Sequence, residues 1–356
     1  MKKTKIIFIS RAYPPTVGGI ENQNYELGKW LGEIADVTII ANTGGKKFLP
    51  LFLPYATIKA LFLMSKNDAV LLGDGVLGIT AWTIKLFSKK SITCVVHGLD
   101  LTFKNNLYQK LWVGFFLKKI DKFVAVGNET VAVAIEKGLA KEKIVFIPNG
   151  VDTEKHLLAT SKDELAKILN TNIDNKKILL TSGRLAKRKG VAWFVENVLP
   201  KLSQDFLYVV AGDGPDKENI LSVIEKSNTK NNVLMLGYVS DNARNILLNS
   251  ADLFVQPNIK VAGDMEGFGI SVIEAGACRL PVIASDIEGL KDAIKDSKNG
   301  FLVESANADM FTQKINELFA NGNPREIYGQ AVRDFVIANY QWEKIAQQYL
   351  AEITKL

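Results

Sequence analysis

The stretch that decides the fold lies in the middle of the chain, where residues 178–202 read ILLTSGRLAKRKGVAWFVENVLPKL. An apolar run over 178–182 leads through a loop with two glycines and four basic residues into apolar residues at helical spacing. An apolar run without polar alternation is typical of a strand buried on both faces of a parallel sheet. The stretch therefore predicts one strand–loop–helix unit of a parallel α/β fold.

The same pattern continues on both sides of this unit. The segments between the apolar runs carry helical spacing, as in 20–31 and 191–202, and right-handed crossovers then make the sheets parallel. Two sets of strands predict an α/β protein with two Rossmann-like domains, divided within the polar segment 149–161. The predicted strands lie at residues 5–10, 36–41, 68–72, 92–97, 123–126, 144–148, 178–182, 207–212, 233–236, 253–256 and 281–284.

The expected domains are residues 1–155 and 156–339, and the last segment, about 340–356, is expected to return to the first domain as a helix. Ligands of open parallel sheets bind beyond the carboxyl ends of the strands. If the two sheets point these ends at each other, the site lies in a cleft between the domains. The apolar face predicted for the last helix consists of Trp342, Ile345, Ala346, Tyr349 and Ile353.

Composition excludes several classes of protein. The chain has 356 residues, of which 47% are hydrophobic and 23% charged, which excludes a disordered, collagenous or coiled-coil chain. Two cysteines and two histidines exclude a disulfide scaffold and a Cys-rich or multi-histidine metal site. The apolar run after the basic start is too short for a signal peptide, and no stretch reaches the roughly 20 apolar residues of a membrane span. We therefore expect a soluble, cytoplasmic protein.

The positive charge is concentrated in the first half of the chain. Residues 1–160 hold 21 Lys and Arg against 13 Asp and Glu, whereas residues 161–356 hold 23 against 25. A basic half can serve nucleic acid, an anionic membrane surface or a phosphorylated substrate. No nucleic-acid motif is present, so nucleic acid is not an expected partner. The alternative is a solvated basic face that binds no partner.

The loop after strand 178–182 is the strongest candidate for an anion site. Gly183 begins it, Arg184 and Lys189 add mobile positive charge, and a helix follows. Free backbone N–H groups and a helix N-terminus attract anions, and growing negative charge on a diphosphate leaving group would be stabilised there. The alternative is a solvated basic loop.

A second candidate site contains two glutamates eight residues apart, Glu266 and Glu274. If a helix begins near Gly269, the first acid lies in the loop before the helix and the second lies more than one turn inside it. The two acids would then contact one ligand at different depths, for example sugar hydroxyls and ribose hydroxyls. Gly267 lets the backbone approach a ligand closely. The alternative is that both acids merely cap the helix.

Three weaker signals lie elsewhere. Gly18 and Gly19 precede a helix and can close over a phosphate, although a simple turn is an equal explanation. His97 follows a predicted strand, where a functional role and a structural one are both open. His156 has no such setting and is predicted to lie on the surface.

Taken in order, these motifs resemble glycosyltransferase family 4, and the resemblance covers nearly the whole chain. It implies a GT-B fold, in which two Rossmann-like domains face each other, and retaining transfer of a hexose-type sugar from a UDP- or GDP-sugar to a glycan or lipid-linked acceptor. It implies no cofactor and no metal, which agrees with the absence of an Asp-x-Asp triplet. The matching segments are Gly18-Gly19, residues 148–152, 183–190 and 212–215, the Glu266/Glu274 pair, and residues 340–346.

The resemblance also implies roles for particular residues. Arg184 and Lys189 would hold the donor diphosphate, and Glu266 and Glu274 would contact the donor sugar and the ribose. His97 would lie near the reacting sugar. The glycines Gly18, Gly19 and Gly183 would line the diphosphate, and the amides of Gly267, Phe268 and Gly269 would face the donor sugar. A sugar-nucleotide epimerase and a non-catalytic nucleotide-sugar-binding subunit remain as alternatives.

The basic half is expected to bind the acceptor. Residues 103–123 interleave five lysines with Leu107, Leu111, Trp112, Phe115 and Phe116, and Lys46-Lys47 precedes a second apolar stretch. Basic residues beside exposed aromatics are typical of a helix at a membrane interface. The prediction is peripheral binding to an anionic membrane on its inner face. A core helix with a lysine-rich outer face is the alternative.

Overall fold

A computed structural model describes residues 3–16 and 18–355 of the chain. The chain divides into two compact units, unit 1 (Met1–Gly150 and Trp342–Leu356) and unit 2 (Val151–Gln341). The expected boundary, between residues 155 and 156, falls a few residues later along the chain. In the described residues each unit contains one six-stranded parallel sheet. The prediction of an α/β protein with two Rossmann-like domains is confirmed.

Unit 1 is built on a sheet with strand order β2-β1-β3-β4-β5-β6. Its strands are β1 (Lys5–Ser10), β2 (Asp36–Ala41), β3 (Ala69–Leu72), β4 (Ser91–Val96), β5 (Lys122–Ala125) and β6 (Ile144–Phe146). Its helices are α1 (Gly19–Ile34), α2 (Leu49–Leu63), α3 (Gly78–Phe87), α4 (Leu99–Thr102), α5 (Asn106–Tyr108) and α6 (Asn128–Glu136), with a π-helix at Gln109–Phe116. Short 3-10 turns occupy Lys46–Phe48, Met64–Lys66, Gly75–Leu77, Leu117–Lys119 and Lys141–Lys143.

Unit 2 is built on a sheet with strand order β12-β11-β10-β7-β8-β9. Its strands are β7 (Lys177–Ser182), β8 (Phe206–Ala211), β9 (Val233–Gly237), β10 (Leu253–Gln256), β11 (Val282–Ser285) and β12 (Phe301–Val303). Its helices are α7 (Lys162–Leu169), α8 (Val191–Asn197), α9 (Lys217–Lys226), α10 (Asp241–Ser250), α11 (Ile270–Ala277), α12 (Leu290–Ala293), α13 (Ala308–Phe319) and α14 (Pro324–Tyr340). Short 3-10 turns occupy Lys187–Lys189, Leu199–Lys201 and Lys230–Asn232.

The apolar runs form strands because both faces of each sheet are covered. In β1, Ile7 and Ile9 join the core under α2 and α3, whereas Ile6 and Phe8 join the core on the opposite face. All four side chains are fully buried. Since successive side chains of a strand point to opposite faces, a strand covered on both sides needs apolar residues throughout.

The final helix, α15 (Trp342–Thr354), belongs to unit 1 and packs on α1. The five residues predicted for its apolar face are all buried, so that prediction is confirmed. Gly150 lies directly against Trp342, where an added Cβ would come within 2.4 Å of the indole. Glu352 of the helix accepts a salt bridge from Lys122 at 2.6 Å.

Candidate active site

Three loops of unit 2 meet at the carboxyl ends of neighbouring strands. Leu185 N, in the loop after β7, donates to Asp213 O in the loop after β8 at 2.9 Å. Ile259 N, in the loop after β10, donates to Arg188 O at 2.9 Å. The strand order β10-β7-β8 makes these contacts possible, because the loop after β7 lies between the other two. The basic loop is therefore held by backbone hydrogen bonds on both sides.

Two glycines allow the loops to approach this closely. Gly190 has a φ of +68°, which favours glycine, and an added Cβ would lie 1.9 Å from Pro257 O. A Cβ on Gly212 would lie 1.8 Å from Gly183 O. Both neighbours are backbone atoms, so neither contact could be relieved by a side-chain rotation. The glycines are required by the packing of the three loops.

Lys189 and Glu266 form an ion pair where these loops meet. Lys189 Nζ lies 2.6 Å from Glu266 Oε2, and Arg188 Nη2 lies 3.8 Å from the same oxygen. Asn258 Nδ2 donates to it at 3.1 Å. Glu266 is buried, so its charge depends on these partners rather than on water.

The charge state of Glu266 follows from the same contacts. Burial alone would raise the pKa of Glu266, but Lys189 and Arg188 outweigh it and hold the pKa at about 2. Glu266 is therefore a carboxylate throughout the neutral range. Its second oxygen, Oε1, has no hydrogen-bond partner among the residues that the structure describes, so it can accept a hydrogen bond from a ligand hydroxyl.

Buried amide side chains hold Glu266 in place. Gln256 Nε2 donates to Asn258 Oδ1 at 2.5 Å, and Asn258 in turn donates to the glutamate. Ser271 Oγ donates to Gln256 Oε1 at 3.2 Å, which links α11 to the same network. Gln256 and Asn258 are both buried, so this network has little freedom to reorganise.

The backbone between Glu266 and α11 offers several free donors. Within residues 3–16 and 18–355, the backbone amides of Gly267, Phe268 and Gly269 donate no hydrogen bond. The Phe268 ring is buried against Tyr340, with ring centroids 5.8 Å apart, so the loop is anchored by its side chain. Successive free N–H groups before a helix form a site for anions or hydroxyl oxygens.

Glu274 lies inside α11 and has a different partner. Its Oε2 accepts a short hydrogen bond and ion pair from Arg244 of α10, and the carboxylate raises the pKa of Arg244 further. His156 Nε2 lies 4.0 Å from Glu274 Oε1, and His156 Nδ1 lies 3.1 Å from Asn245 Oδ1. His156 is buried, so the prediction of a surface position for it is wrong. Sequence spacing gave no sign that α10 packs against this histidine.

On the ribose-binding role that the resemblance implies for Glu274, Arg244→Ala is expected to weaken donor binding more than turnover. The substitution removes a charged hydrogen bond that orients Glu274, and such bonds contribute about 1.5–3 kcal/mol, or roughly a 10- to 100-fold change. We expect the donor KM to rise in that range with kcat changed less, as for an interaction made equally in ground and transition states. Steady-state kinetics on Arg244→Ala, Arg244→Lys and the exposed control Asn242→Ala would measure it. A kcat loss with unchanged KM would contradict this role.

Arg184 and Gly183 lie at the start of the basic loop. Gly183 N donates to Ala211 O at 2.9 Å, which fixes the backbone of the loop. Arg184 is exposed, and in the described part of the chain its side chain makes no hydrogen bond or ion pair. The two basic residues predicted to act together therefore differ, because Lys189 is paired with Glu266 and Arg184 is free to reach a ligand.

The remaining predicted residues belong to unit 1. His97 follows β4, is buried, and its Nε2 lies 3.0 Å from Gly73 O. Because a carbonyl oxygen only accepts, Nε2 carries the proton in this hydrogen bond. The backbone N–H of His97 donates to Asp100 Oδ1 at 3.0 Å. Gly18 is the residue before α1, and Gly19 begins that helix with open space where a side chain would lie.

The hydrogen-bond donors at this site of unit 2 favour an anionic ligand. They are an ammonium, two guanidinium groups and free backbone amides, which bind phosphate and carboxylate oxygens. In the parts of the chain that the structure describes, no group of three His, Cys, Asp or Glu side chains is arranged to hold a metal ion.

Sequence reasoning missed three residues that shape this site. Arg188 lies in the basic loop but was not distinguished from its neighbours, although it shares Glu266 with Lys189. Asn258 is a polar residue just beyond a buried strand, which is a signal that could have been used. Arg244 had no local signal, because it lies on an ordinary amphipathic helix.

Two family sequence models match the chain. The model described as "Glycosyl transferases group 1" matches residues 162–346, just over half of the chain. The model described as "Glycosyltransferase Family 4" matches residues 17–155. The first match contains the residues of the unit 2 site described above except His156.

Curated proteins of the same kind are similar in sequence. An uncharacterized glycosyltransferase of Methanocaldococcus jannaschii is 25% identical over 98% of this chain and 98% of its own. The N,N'-diacetylbacillosaminyl-diphospho-undecaprenol alpha-1,3-N-acetylgalactosaminyltransferase of Campylobacter jejuni is 30% identical over 71% of this chain and 66% of its own. The UDP-Gal:alpha-D-GlcNAc-diphosphoundecaprenol alpha-1,3-galactosyltransferase of Escherichia coli is 29% identical over 68% and 62%.

Solved structures share the fold. HepE of Anabaena in complex with UDP has a TM-score of 0.81 at 16% identity, covering 99% of this chain and all of its own. A glycosyltransferase of Rickettsia africae has a TM-score of 0.81 at 22% identity, covering 100% and 99%. With the family matches, these similarities establish that the chain is a glycosyltransferase with the GT-B fold and belongs to the glycosyl transferases group 1 family.

Proposed function

We propose that the chain transfers a hexose-type sugar from a UDP- or GDP-sugar to a hydroxyl of a glycan or lipid-linked acceptor, with retention at the anomeric carbon and without a metal ion. The observation that carries the proposal is the Lys189–Glu266 pair at 2.6 Å, joined by Arg188 and followed by three free amides. A fixed carboxylate beside cations and N–H donors can bind both parts of a sugar diphosphate. The described residues thus place a carboxylate that can accept hydrogen bonds from sugar hydroxyls close to groups that can donate hydrogen bonds to a diphosphate.

Names of similar proteins support the substrate classes. The relatives from Escherichia coli and Campylobacter jejuni are named for transfer to saccharides linked to diphosphoundecaprenol, and a mycobacterial relative is named as GDP-mannose-dependent. HepE has been solved in complex with UDP-glucose. A nucleotide-sugar donor and a lipid-linked or glycan acceptor are therefore the substrates we propose, in the synthesis of a glycolipid or polysaccharide.

The proposed reaction breaks the bond between the anomeric carbon and the donor phosphate oxygen. Lys189 and Arg184 stabilise the negative charge that grows on the leaving nucleoside diphosphate. The acceptor hydroxyl attacks the anomeric carbon from the same face, and its proton passes to an oxygen of the departing phosphate. Glu266 holds the donor sugar through its free oxygen, and Glu274 holds the ribose. In this scheme cationic side chains take the place of a metal ion on the diphosphate.

The test is nucleotide release from a panel of UDP- and GDP-sugars in the presence of EDTA, without acceptor. We expect slow hydrolysis of one donor, lost in Glu274→Ala and kept in Glu196→Ala, an exposed acid of the same unit. Epimerised donor without hydrolysis would indicate an epimerase instead. Nucleotide binding by calorimetry with no turnover, even after candidate acceptors are added, would indicate a non-catalytic binding subunit.

A further inference from the structure

Helix α2 and its flanking turns carry apolar side chains on both faces. On the inner face Phe52, Ala56 and Ala60 are buried in the core of unit 1. The outer residues are exposed, and the exposed fractions of Leu51 and Phe62 reach 71% and 81%. A surface helix normally places polar residues on its outer face. We call this outer face, at spacings of three and four residues, the α2 stripe: Phe48, Leu51, Tyr55, Ile58 and Phe62.

Further exposed apolar residues lie in the same helical layer. Helix α3 packs against α2 and also against the π-helix Gln109–Phe116. The inner residues of all three join one core cluster on the same face of the sheet, so their outer faces point away from that face together. The exposed residues are Leu86 and Phe87 at the end of α3 and a second stripe at spacings of four, Phe103, Leu107, Leu111 and Phe115.

The charge around these stripes has one sign. Residues 46–119 contain eleven lysines and three aspartates, with no arginine and no glutamate. Asp74 and Asp100 are buried, so Asp68 is the one acidic residue of this segment that reaches the surface. The exposed lysines are Lys46, Lys47, Lys59, Lys66, Lys89, Lys104, Lys110, Lys118 and Lys119. The layer therefore presents apolar side chains among lysines, with almost no negative charge.

The packing of α2 separates two ways of meeting a membrane. Contrary to the expectation from the sequence, the segment Lys46–Lys66 is long and apolar enough to cross a membrane by length and composition. Its inner face, however, covers the core of unit 1. For the helix to cross a bilayer it would have to leave the core, which would then be exposed. A helix that keeps its inner face on a sheet can place only its outer face at a membrane surface.

We propose that the α2 stripe and the surrounding lysines bind unit 1 to the surface of an anionic bilayer. Apolar side chains enter the boundary between headgroups and acyl chains, and lysines contact the anionic headgroups. The sequence pointed to residues 103–123 for this role. We place the main contact on α2 instead, because Leu51 and Phe62 are more exposed than any large apolar side chain of 103–123. This goes beyond the proposed reaction, because bilayer binding needs neither donor nor acceptor.

The experiment is co-flotation of the full chain with vesicles of phosphatidylcholine and phosphatidylglycerol at low salt, without donor or acceptor. The double substitution Leu51→Ser with Phe62→Ser is expected to weaken binding at least about 100-fold, because each side chain loses burial in the bilayer. Tyr238→Ser is the matched control, because Tyr238 is an exposed aromatic of unit 2 with a similar exposed fraction, 74%. Lys46→Gln with Lys47→Gln, or 0.5 M salt, is expected to weaken binding about 10-fold.

Several results would overturn the proposal. Wild-type protein that stays unbound to anionic vesicles at low salt would do so. Equal binding of the Leu51/Phe62 variant and the Tyr238 control would show that the stripe makes no contact. A dimer that dissociates in the Leu51/Phe62 variant, with no vesicle binding by wild type, would make the stripe an interface between two copies. Wild-type protein that releases nucleotide but does not float with anionic vesicles would refute membrane binding and leave the proposed reaction standing.

Discussion

Lys189→Ala is expected to lower kcat by about 100- to 1000-fold while donor affinity changes much less. Lys189 lies 2.6 Å from the Glu266 carboxylate, and in the proposed reaction it also contacts the leaving diphosphate. Negative charge on that group grows toward the transition state, so the loss falls on turnover. The measurement is kcat and KM for the donor in Lys189→Ala and in Lys187→Ala, an exposed lysine of the same loop.

A second variant separates catalysis from stability. Lys189→Ala leaves the buried Glu266 carboxylate without its nearest cation, which destabilises unit 2 and raises the pKa of Glu266. Adding Glu266→Gln removes the uncompensated charge, so the melting temperature should recover while turnover stays below that of Glu266→Gln alone. Turnover equal to that of Glu266→Gln alone would mean that Lys189 serves only to neutralise Glu266. A defect in KM alone would count against a role in the transition state.

Gly190→Ala is expected to lower the free energy of unfolding of unit 2 by about 3–5 kcal/mol, the range of severe backbone conflicts. The backbone φ of +68° disfavours alanine, and the new Cβ would lie 1.9 Å from Pro257 O. To relieve that contact the loops after β7 and β10 must separate, which moves Lys189 away from Glu266. The measurement is hydrogen exchange of β7 and α8 as urea is raised, because these elements report unit 2 alone.

Gly237→Ala is the matched control for this prediction. Gly237 has nearly the same φ, +65°, but no atom lies within 4 Å of the position of an added Cβ. Alanine there bears only the conformational cost, about 1 kcal/mol. Equal destabilisation by the two substitutions would show that the contact with Pro257 yields easily, and would contradict the account of the loop packing.

The strands were predictable where they are buried on both faces. Eleven of the twelve strands in the described residues coincide with apolar runs, within one or two residues at their ends. The twelfth, β12 (Phe301–Val303), was missed because it has three residues, of which only Val303 is buried. A short, half-buried edge strand has no periodicity that distinguishes it from a loop.

The site was predictable only in part, for a related reason. Lys189 and Glu266, which the structure brings together, were predicted because each lies beside glycines and a helix start, which are local signals. Arg244 of α10 contacts Glu274, and Asn258, in the loop after β10, contacts Glu266. Their spacing in sequence carries no sign of this, because the order of strands in the sheet brings them together.

The sequence by itself determined the fold class, because periodicity, glycine positions and apolar runs act over a few neighbouring residues. The tertiary structure decided which loops meet, since β7 lies between β10 and β8 although about 70 residues separate β7 from β10 along the chain. It also decided which face of α2 is covered. Phe52 and Leu51 are adjacent and both apolar, yet one is buried and the other is exposed. Local sequence cannot determine which of these two side chains is buried, because burial depends on where the surface of the sheet ends.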